Sequence, residues 1–486
     1  MIRMSDESKK HIISKYVIKK QKVSTRPVAE RIKDFQEVSL GLNKEQAILE
    51  ANRCLQCPKP KCIVSCPIGI DIPKFIRCIA NENFEDAINK IREKNGLADV
   101  TGRVCPQEKL CQAACVLANK DVPITIGALE RFAADVSIDK EIKALKSNGK
   151  KVAVIGSGPA GLTAAVDLAI LGYEVTIYEA FHESGGVLTY GIPAFRLPKE
   201  VIGKAMRYVK YLGVKIEKNV IIGKSLTLYD LFELGYDCIF IGSGAGSPKF
   251  LHILGENLNG VYSANEFLTR CNLMRAYKFP EHSTPVYVGK QVAVIGGGNV
   301  AMDSARTALR LGANDVRIVY RRSEKEMPAR IEEVKNTKDE GVKFMTLANP
   351  LKILGNNQAH VTGLECIRME LGEPDTSGRR RPVEVKGSNF TINVDMVIVA
   401  IGQKPNPIIS RTTPELKVDK EGYIIVDDRG RTSFEKVWAA GDIVPGPETV
   451  IEAMSGAKNA VKDIHLYMKR REEKELVLNP VLAWKF

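Results

Sequence analysis

Cysteine is concentrated in one stretch of this chain, because eight of its eleven cysteines lie between Cys54 and Cys115. Thiolates bind iron well, and closely spaced cysteines allow one loop to bind several corners of an iron–sulfur cluster. Two groups have such spacing, namely Cys54, Cys57, Cys62 and Cys66, and Cys105, Cys111 and Cys115. Pro67 directly follows Cys66, as in ferredoxins. Structural zinc sites usually need two C-x2-C pairs, and only one is present here, so the spacing favours iron–sulfur clusters over zinc.

The cysteines supply one ligand fewer than two four-iron clusters need. Cys78 lies in the segment 72–80, whose apolar spacing indicates a helix face, and we interpret it as a buried core thiol. Seven of the eight clustered cysteines remain. The eighth ligand must therefore come from another residue or from solvent.

A glycine-rich turn follows the β-branched segment 152–155 and leads into a helical pattern. It consists of Gly156, Ser157, Gly158, Pro159, Ala160 and Gly161. This context matches the dinucleotide fingerprint, whose glycines permit a tight turn, close approach of a pyrophosphate and packing of the helix on the strand. A second strand pattern ends at Glu179, where an acid can bond the ribose hydroxyls of an adenosine.

A second turn of the same kind follows the segment 292–295. It consists of Gly296, Gly297, Gly298, Asn299, Val300 and Ala301, with alanine in a position where the fingerprint accepts it. Where an NAD site carries Asp or Glu, this chain has Arg321 and Arg322. Two guanidiniums would bind a 2′-phosphate, so the second site is predicted to prefer NADP(H) over NAD(H). The alternative is that both arginines are ordinary surface residues.

Helical and strand–turn–helix patterns must position these groups. The first 145 residues combine helical patterns, such as 84–93, with the cysteine loops. A distant strand pattern begins at Val437 and ends in Gly441 and Asp442, and the segment 451–468 has helical periodicity. A length of 486 residues predicts about three domains.

The composition, apolar segments and charge of the chain argue against a membrane-spanning, a secreted and a nucleic-acid-binding protein. A content of 44% hydrophobic and 27% charged residues is that of an ordinary globular protein. The sequence has neither an apolar run of about 18 residues nor a segment resembling a signal peptide, so we expect a cytoplasmic protein without a membrane span or a disulfide framework. The net charge of +13 comes from separate clusters without interleaved aromatic residues. A solvated surface is therefore expected and no nucleic-acid partner; the alternative use of the charge is attraction of an acidic electron carrier or of phosphate-bearing nucleotides.

Together, these residues resemble a known family, the small (β) subunit of bacterial NADPH-dependent glutamate synthase. The chain is also similar to the large subunit of NADH-dependent reduced ferredoxin:NADP oxidoreductase, an electron-bifurcating flavoenzyme, and to the N-terminal half of dihydropyrimidine dehydrogenase. The resemblance covers about residues 30–470. Besides the cysteines, its most specific segments are 185–193, 196–198, 320–323, 327–330, 400–403 and 440–442.

The resemblance implies the ligands of two [4Fe–4S] clusters. One cluster would take Cys54, Cys57, Cys62 and Cys115. The other would take Cys66, Cys105, Cys111 and Glu130, whose carboxylate supplies the missing ligand. The alternative for Glu130 is an exposed helix acid. Related proteins often carry a cysteine that is not a ligand at the position of Thr101.

The resemblance also implies two bound nucleotides. FAD is expected at the first turn, near Gly156, Ser157, Gly158, Pro159, Ala160, Gly161, Glu179, Gly186, Arg196, Gly441 and Asp442. NADP(H) is expected at the second turn, near Gly296, Gly298, Asn299, Val300, Ala301, Arg321, Arg322 and Gly402. The protein would mostly position the nicotinamide against the flavin, and no catalytic acid or base is expected.

The predicted fold is an α/β flavoprotein with two dinucleotide-binding (paired Rossmann-like) domains and an N-terminal α-helical iron–sulfur domain. We expect the iron–sulfur domain at 1–145, the FAD domain at 146–285 and 400–470, the NADP(H) domain at 286–399 and a C-terminal tail at 471–486. The basic extension 1–28 and the tail are less familiar. Trp484 and Phe486 in the tail are expected to fold back on the chain, with docking on a partner as the alternative.

The expected function is electron relay between NADP(H), FAD and the two clusters. The resemblance to the electron-bifurcating flavoenzyme is close in the segments 327–350 and 368–374, and it favours the bifurcating-flavin subunit of a ferredoxin/NAD(H)/NADP(H) transhydrogenase. That role requires a flavin and iron–sulfur partner for NAD(H), with ferredoxin connected through the clusters. The alternative is the small subunit of glutamate synthase, which requires a large partner chain. A redox-inactive assembly subunit would require broken nucleotide turns, and both turns are intact.

Overall fold

The computed structural model describes residues 18–120, 122–137, 146–375 and 378–478. The predictions for the first 17 residues and for Trp484 and Phe486 lie outside these ranges. The described chain contains two five-stranded parallel sheets, a four-stranded antiparallel sheet and a helical N-terminal region. The predicted α/β fold with an N-terminal helical region is therefore confirmed.

The N-terminal region consists of short helices, and most of the cysteines lie at their ends or in the loops between them. Its helices are Val28–Arg31, Lys44–Asn52, Lys61–Val64, Ile72–Ala80, Phe84–Arg92, Ala98–Val104 and Ile126–Asp135, with short 3-10 helices at Gln107–Lys109 and Val116–Lys120 and a strand pair at Ser24–Thr25 and Ser39–Gly41. Phe75, Ile76 and Ile79 bury the apolar face of their helix. Cys78 on the same helix is only partly buried, which corrects the prediction of a buried core thiol.

The first parallel sheet carries the first turn. In order across the sheet its strands are Val437–Ala439, Cys238–Ile241, Lys151–Ile155, Glu174–Glu179 and Lys215–Lys218. The accompanying helices are Pro159–Ile170, Val187–Tyr190, Lys199–Tyr211, Leu228–Glu233, Ile408–Thr412 and Val450–Leu478. The central strand is buried from Val152 onward, as expected for a parallel strand that is covered on both faces.

The second parallel sheet carries the second turn. In order across the sheet its strands are Lys343–Thr346, Asp315–Tyr320, Gln291–Ile295, Met396–Val399 and Val261–Ser263. The antiparallel sheet beside it contains Ala348–Gly355, Val361–Pro374, Arg380–Glu384 and Phe390–Asn393. The helices are Ala264–Asn272, Asn299–Arg310 and Ile331–Asp339, with short 3-10 helices at Ala276–Lys278 and Glu324–Glu326.

The second unit begins earlier in the chain than the predicted boundary at 285 and 286. The strand Val261–Ser263 pairs with Met396–Val399, and Phe267 and Leu268 are buried in the core of the second sheet. Such a short edge strand carries little periodic signal, which explains the error. An antiparallel pair, Ser247–Pro248 with Gln403–Lys404, connects the two units.

The hydrophobic cores show how the regions are joined. The N-terminal helices share one continuous core with the helices and strands of the first sheet, whereas the second sheet has its own. The cysteine region is therefore packed directly against the unit of the first turn. Within the described ranges, no helix is long and apolar enough to cross a lipid bilayer.

Candidate functional site

Two positions of the first turn require glycine, one because of its backbone conformation and one because the helix packs closely on the turn. Gly156 has a φ of 93°, which favours glycine. A Cβ atom on Gly161 would lie 1.9 Å from the carbonyl oxygen of Gly156. Gly158 precedes the helix Pro159–Ile170, whose first position is proline. The N–H groups at the start of this helix can therefore approach the phosphates of a ligand.

Glu179 ends its strand and closes onto the first turn. One carboxylate oxygen accepts a hydrogen bond from the backbone N–H of Ser157 at 3.0 Å and another from the Ser157 hydroxyl. The other oxygen accepts from the backbone N–H of Phe181 at 2.9 Å. These bonds fix the buried carboxylate beside the turn, where a ribose contact is predicted.

A cleft of about 390 Å³ opens beside the first turn. Among the predicted residues it is lined by Gly156, Ser157, Gly158, Pro159, Ala160, Glu179, Gly186, Gly441 and Asp442. Val300, at the start of the helix after the second turn, lines the same cleft. One cavity is therefore bounded by both turn units, and its glycine-rich wall exposes backbone to a ligand.

Two carboxyl groups with raised pKa values line this cleft. Burial raises the pKa of Asp442 to about 6 and the pKa of Glu448 to about 7. The backbone N–H of Glu448 donates a hydrogen bond to Asp442 Oδ1 at 3.1 Å. Near these pKa values both groups can donate as well as accept hydrogen bonds. No sequence pattern indicates a role for Glu448, because it lies in an irregular segment without a motif.

The second turn is fixed by a neighbouring loop. Gly298 precedes the helix Asn299–Arg310, and Ala301 is fully buried. Asn299 Oδ1 accepts a hydrogen bond from the backbone N–H of Arg330 at 3.0 Å. This bond holds the segment 327–330 beside the turn.

The two arginines that follow the strand Asp315–Tyr320 have different surroundings. Arg321 is exposed. Arg322 is 5% exposed, and its guanidinium donates to Asp375 Oδ2 at 2.6 Å and to the carbonyl oxygen of Arg380 at 2.8 Å. Arg321 is therefore accessible to a ligand, whereas Arg322 is bound within the protein.

Arg196 and Gly402 do not line the cleft. Arg196 Nη1 lies 2.6 Å from Asp303 Oδ2, and its Nε lies 3.1 Å from Glu333 Oε1. These ion pairs connect the first unit to two helices of the second. Gly402 accepts a hydrogen bond from the backbone N–H of Lys249 at 3.1 Å, in the connection between the units. A role of either residue in cofactor binding stays a prediction.

The first predicted set of cluster ligands surrounds one cavity. Cys54, Cys57, Cys62 and Cys115 line one small cavity, and most of the remaining lining is apolar. Burial, and to a smaller extent the neighbouring thiols, raise the pKa of Cys62 to about 12. Across the described ranges, no three His, Cys, Asp or Glu side chains are grouped to hold a single metal ion. The assignment of a four-iron cluster to these four thiols stays a prediction.

The second predicted set surrounds a buried carboxyl group. Glu130 is 6% exposed on the helix Ile126–Asp135, and burial raises its pKa to about 7. Burial and then the charge of Glu130 raise the pKa values of Cys105 and Cys111. Burial is also the main cause of the raised pKa of Cys66, to which Glu130 contributes. The four groups are therefore close enough to interact, and Glu130 is not an exposed helix acid.

Two polar side chains hold Glu130 in place. Thr101 Oγ1 donates to Glu130 Oε1 at 2.6 Å, and Asn95 Nδ2 donates to the same oxygen at 2.9 Å. A ligand role would therefore fall to the other oxygen, Oε2. No sequence motif indicates the role of Asn95, because its contact with Glu130 joins residues that lie 35 positions apart in the chain.

The cysteine region also contacts the second turn unit. The loop 106–110, between two of the predicted cluster ligands, carries Glu108, which pairs with Arg330 Nε at 3.1 Å. Lys109 Nζ donates to the carbonyl oxygen of Pro328 at 3.1 Å. The segment that Asn299 fixes beside the second turn is therefore in direct contact with a cysteine loop.

Two protein-family models match the chain. The pyridine nucleotide-disulphide oxidoreductase model matches residues 150–457, and a model for dihydropyrimidine dehydrogenase domain II, 4Fe-4S cluster, matches residues 31–142. The first covers both glycine turns, and the second covers all predicted cluster ligands. The chain is therefore an oxidoreductase whose cofactors are FAD, NADP(H) and [4Fe–4S] clusters, which confirms the predicted cofactors.

Similar proteins include subunits of larger enzymes. The chain is 36% identical, over 92% of its length, to the glutamate synthase (NADPH) small chain of Azospirillum brasilense and covers 94% of that protein. It is 38% identical, over 87% of its length, to the NADP(+)-dependent formate dehydrogenase subunit beta of Moorella thermoacetica and spans 62% of that longer protein. Mycobacterium tuberculosis FprA in complex with NADPH shares the fold, with a TM-score of 0.56, 22% identity and coverage of 67% of this chain and 86% of that chain.

Proposed function

The chain belongs to the pyridine nucleotide-disulphide oxidoreductases and, among them, to the family of glutamate synthase small chains, and we propose that it delivers electrons from NADPH to a partner redox subunit. In the reverse direction the same subunit would reduce NADP+. FAD supplies the conversion between hydride transfer and single-electron transfer, and the clusters supply single-electron transfer.

The shared cleft is the observation that carries this proposal. Residues of the first turn, such as Gly158, and Val300 of the second unit line the same cavity. A flavin held at the first turn and a nicotinamide held at the second would therefore share one cleft. The turn glycines and Glu179 would hold the first nucleotide, and Gly298 and Asn299 would hold the second. Positioning of this kind is the main contribution that a protein makes to hydride transfer.

The contacts of the cysteine loops support the route to the clusters. One set of four thiols lines a common cavity, and the other set interacts with the buried carboxyl group of Glu130. The loop 106–110 contacts Pro328 and Arg330 of the second unit. Burial raises the pKa values of Cys62, Cys66, Cys105 and Cys111, so a bound cluster would be needed to keep these four thiols deprotonated.

Iron content tests the ligand assignment. Replacement of Glu130 by alanine is expected to leave about four of about eight irons per chain, because one four-iron cluster loses a ligand. Glu130→Gln, which keeps a carbonyl oxygen, should retain more iron than Glu130→Ala. Iron is determined chemically and flavin by absorbance. Cys78→Ser is the matched control and should keep full iron. Full iron in Glu130→Ala would contradict the assignment.

The partner subunit distinguishes two finer functions. The segments 327–350 and 368–374 favour a bifurcating ferredoxin/NAD(H)/NADP(H) transhydrogenase, whereas coverage of 94% of a glutamate synthase small chain favours glutamate synthesis. The native complex should be purified and its cofactors identified. Reduction of NADP+ by NADH together with reduced ferredoxin would support the first function. NADPH-dependent formation of glutamate would support the second, and a complex with neither activity would contradict both.

A further inference from the structure

Two concave surfaces meet beyond the end of the strand Asp315–Tyr320, and both are lined by Arg321 and Arg381. Arg381 lies on the strand Arg380–Glu384 of the antiparallel sheet, far from the second turn in sequence. Both arginines are exposed. Two guanidiniums from different elements therefore face the same space.

Arg322 fixes the strand that carries Arg381. Its guanidinium donates to Asp375 Oδ2 at 2.6 Å and to the carbonyl oxygen of Arg380 at 2.8 Å, so it holds both ends of the connection between the two strands. The side chain of Arg380 bonds back to the carbonyl oxygen of Gly372 at 3.2 Å. Arg381 directly follows Arg380 in the strand, so the bond from Arg322 to the Arg380 carbonyl oxygen also fixes the backbone that carries Arg381.

The side chains of Arg321 and Arg381 make no hydrogen bond or ion pair with any residue in the described ranges. The acids on the same surfaces are Glu373, Asp375 and Glu384, and Asp375 is already paired with Arg322. Two unpaired guanidiniums that face one space repel each other. A dianion bound between them would attract both and outweigh this repulsion.

We propose that Arg321 and Arg381 together bind the 2′-phosphate of NADP(H), and that Arg322 is a positioning residue that holds Arg381 in place. This inference rests on the proposed function, because it assigns NADP(H) to the second turn. It revises the prediction that Arg322 contacts the phosphate itself. NADH lacks the 2′-phosphate and gains nothing from Arg381. The strand Arg380–Glu384, which carries Arg381, therefore contributes directly to the choice between the two nucleotides.

Calorimetric binding of 2′,5′-ADP and 5′-AMP to the intact protein tests the inference without requiring turnover. Arg381→Ala is expected to raise the Kd of 2′,5′-ADP by about 10- to 100-fold, the usual range for loss of a charge-assisted hydrogen bond. The Kd of 5′-AMP should change by less than about twofold. Lys386→Ala, which removes an exposed positive charge just beyond the strand Arg380–Glu384, is the matched control and should leave both affinities unchanged.

A double-variant cycle tests the positioning role. If Arg322 acts through Arg381, Arg322→Ala weakens 2′,5′-ADP binding in the wild type but causes no further loss in Arg381→Ala. Additive losses would show that Arg322 contacts the phosphate itself and would overturn this part of the inference.

The same titrations distinguish a failure of the NADP(H) assignment from a failure of the role of Arg381. If the wild type binds 2′,5′-ADP no better than 5′-AMP, the assignment of NADP(H) to this site fails. If the wild type prefers 2′,5′-ADP and Arg381→Ala keeps that preference, only the role of Arg381 fails. The same conclusion follows if Lys386→Ala loses the preference as strongly as Arg381→Ala does.

Discussion

The two glycine turns follow nearly the same strand sequence, but the helices after them differ in what they bury. The helix Pro159–Ile170 is buried almost entirely through apolar and small residues. The helix Asn299–Arg310 also buries apolar residues, but in addition it buries Asp303, Arg306 and Arg310. The same local motif is therefore supported by apolar packing alone in the first unit and by apolar packing together with paired charges in the second. We expect the first to be sensitive to added volume and the second to loss of charge.

The charged face of the second helix lies where three regions meet. Glu340 Oε1 lies 2.8 Å from Arg306 Nη2 and 3.0 Å from Arg31 Nε of the N-terminal region, and its Oε2 lies 2.6 Å from Arg310 Nη1. The ring of Phe195, from the first unit, lies 4.6 Å from the guanidinium carbon of Arg306. Buried charges of this kind need all their partners, because removal of one leaves the others uncompensated.

The largest effect is expected from added volume at the first turn. Gly161→Val places a side chain where even a Cβ would lie 1.9 Å from the carbonyl oxygen of Gly156. We expect a loss above about 4 kcal/mol in the free energy of unfolding, together with loss of bound FAD. Thermal unfolding and the ratio of flavin to protein absorbance measure both.

Gly158→Ala separates folding from cofactor binding at the same turn. No atom outside its chain neighbours lies within 4 Å of a Cβ built on Gly158, so this variant should fold normally. It should nevertheless bind FAD more weakly, because the new methyl group faces the cleft. Normal stability and full flavin in Gly161→Val would contradict the packing argument.

A smaller effect, and one that depends on pH, is expected at the charged helix. Burial alone would raise the pKa of Glu340, but hydrogen bonds and charge from Arg306 and Arg310 lower it from 4.5 to about 2. Its folded pKa lies below its unfolded pKa, so its stabilising contribution is complete above about pH 4.5 and is lost as the pH falls towards 2. This shift corresponds to about 3 kcal/mol.

Glu340→Gln should therefore unfold more easily than the wild type at pH 7, and the difference should shrink as the pH falls below about 4.5. Denaturant titrations at several pH values measure this difference. Glu93→Gln, in the exposed pair with Lys90, is the control and should change stability by less than about 1 kcal/mol at every pH. A difference for Glu340→Gln that does not depend on pH would argue against the ion pairs as its cause.

The sequence predicts the features that depend on neighbouring residues. The strand, turn and helix around Gly156 and around Gly296 form where the pattern places them, because glycine conformation and apolar spacing act over a few residues. The buried environment of Arg322 was not predictable, since it depends on Asp375 and the carbonyl group of Arg380, which follow many residues later. Nor was the fixation of Glu130 by Asn95 and Thr101. Such contacts exist only once the chain has folded, and the residues that make them carry no local pattern.

The smallest effect is expected from removing volume at the second turn. Ala301 occupies the position that matches Gly161, and it is fully buried inside its helix. Ala301→Gly should cost about 1 kcal/mol, because glycine has a lower helix propensity and only one methyl group is lost. Bound FAD and the KM for NADPH should stay within about twofold of the wild type, since the change leaves the charged face of the helix intact. Thermal unfolding and steady-state NADPH oxidation with an artificial acceptor check this. A loss as large as that of Gly161→Val would mean that the second turn depends on close packing as strongly as the first, and the contrast between the two units would no longer hold.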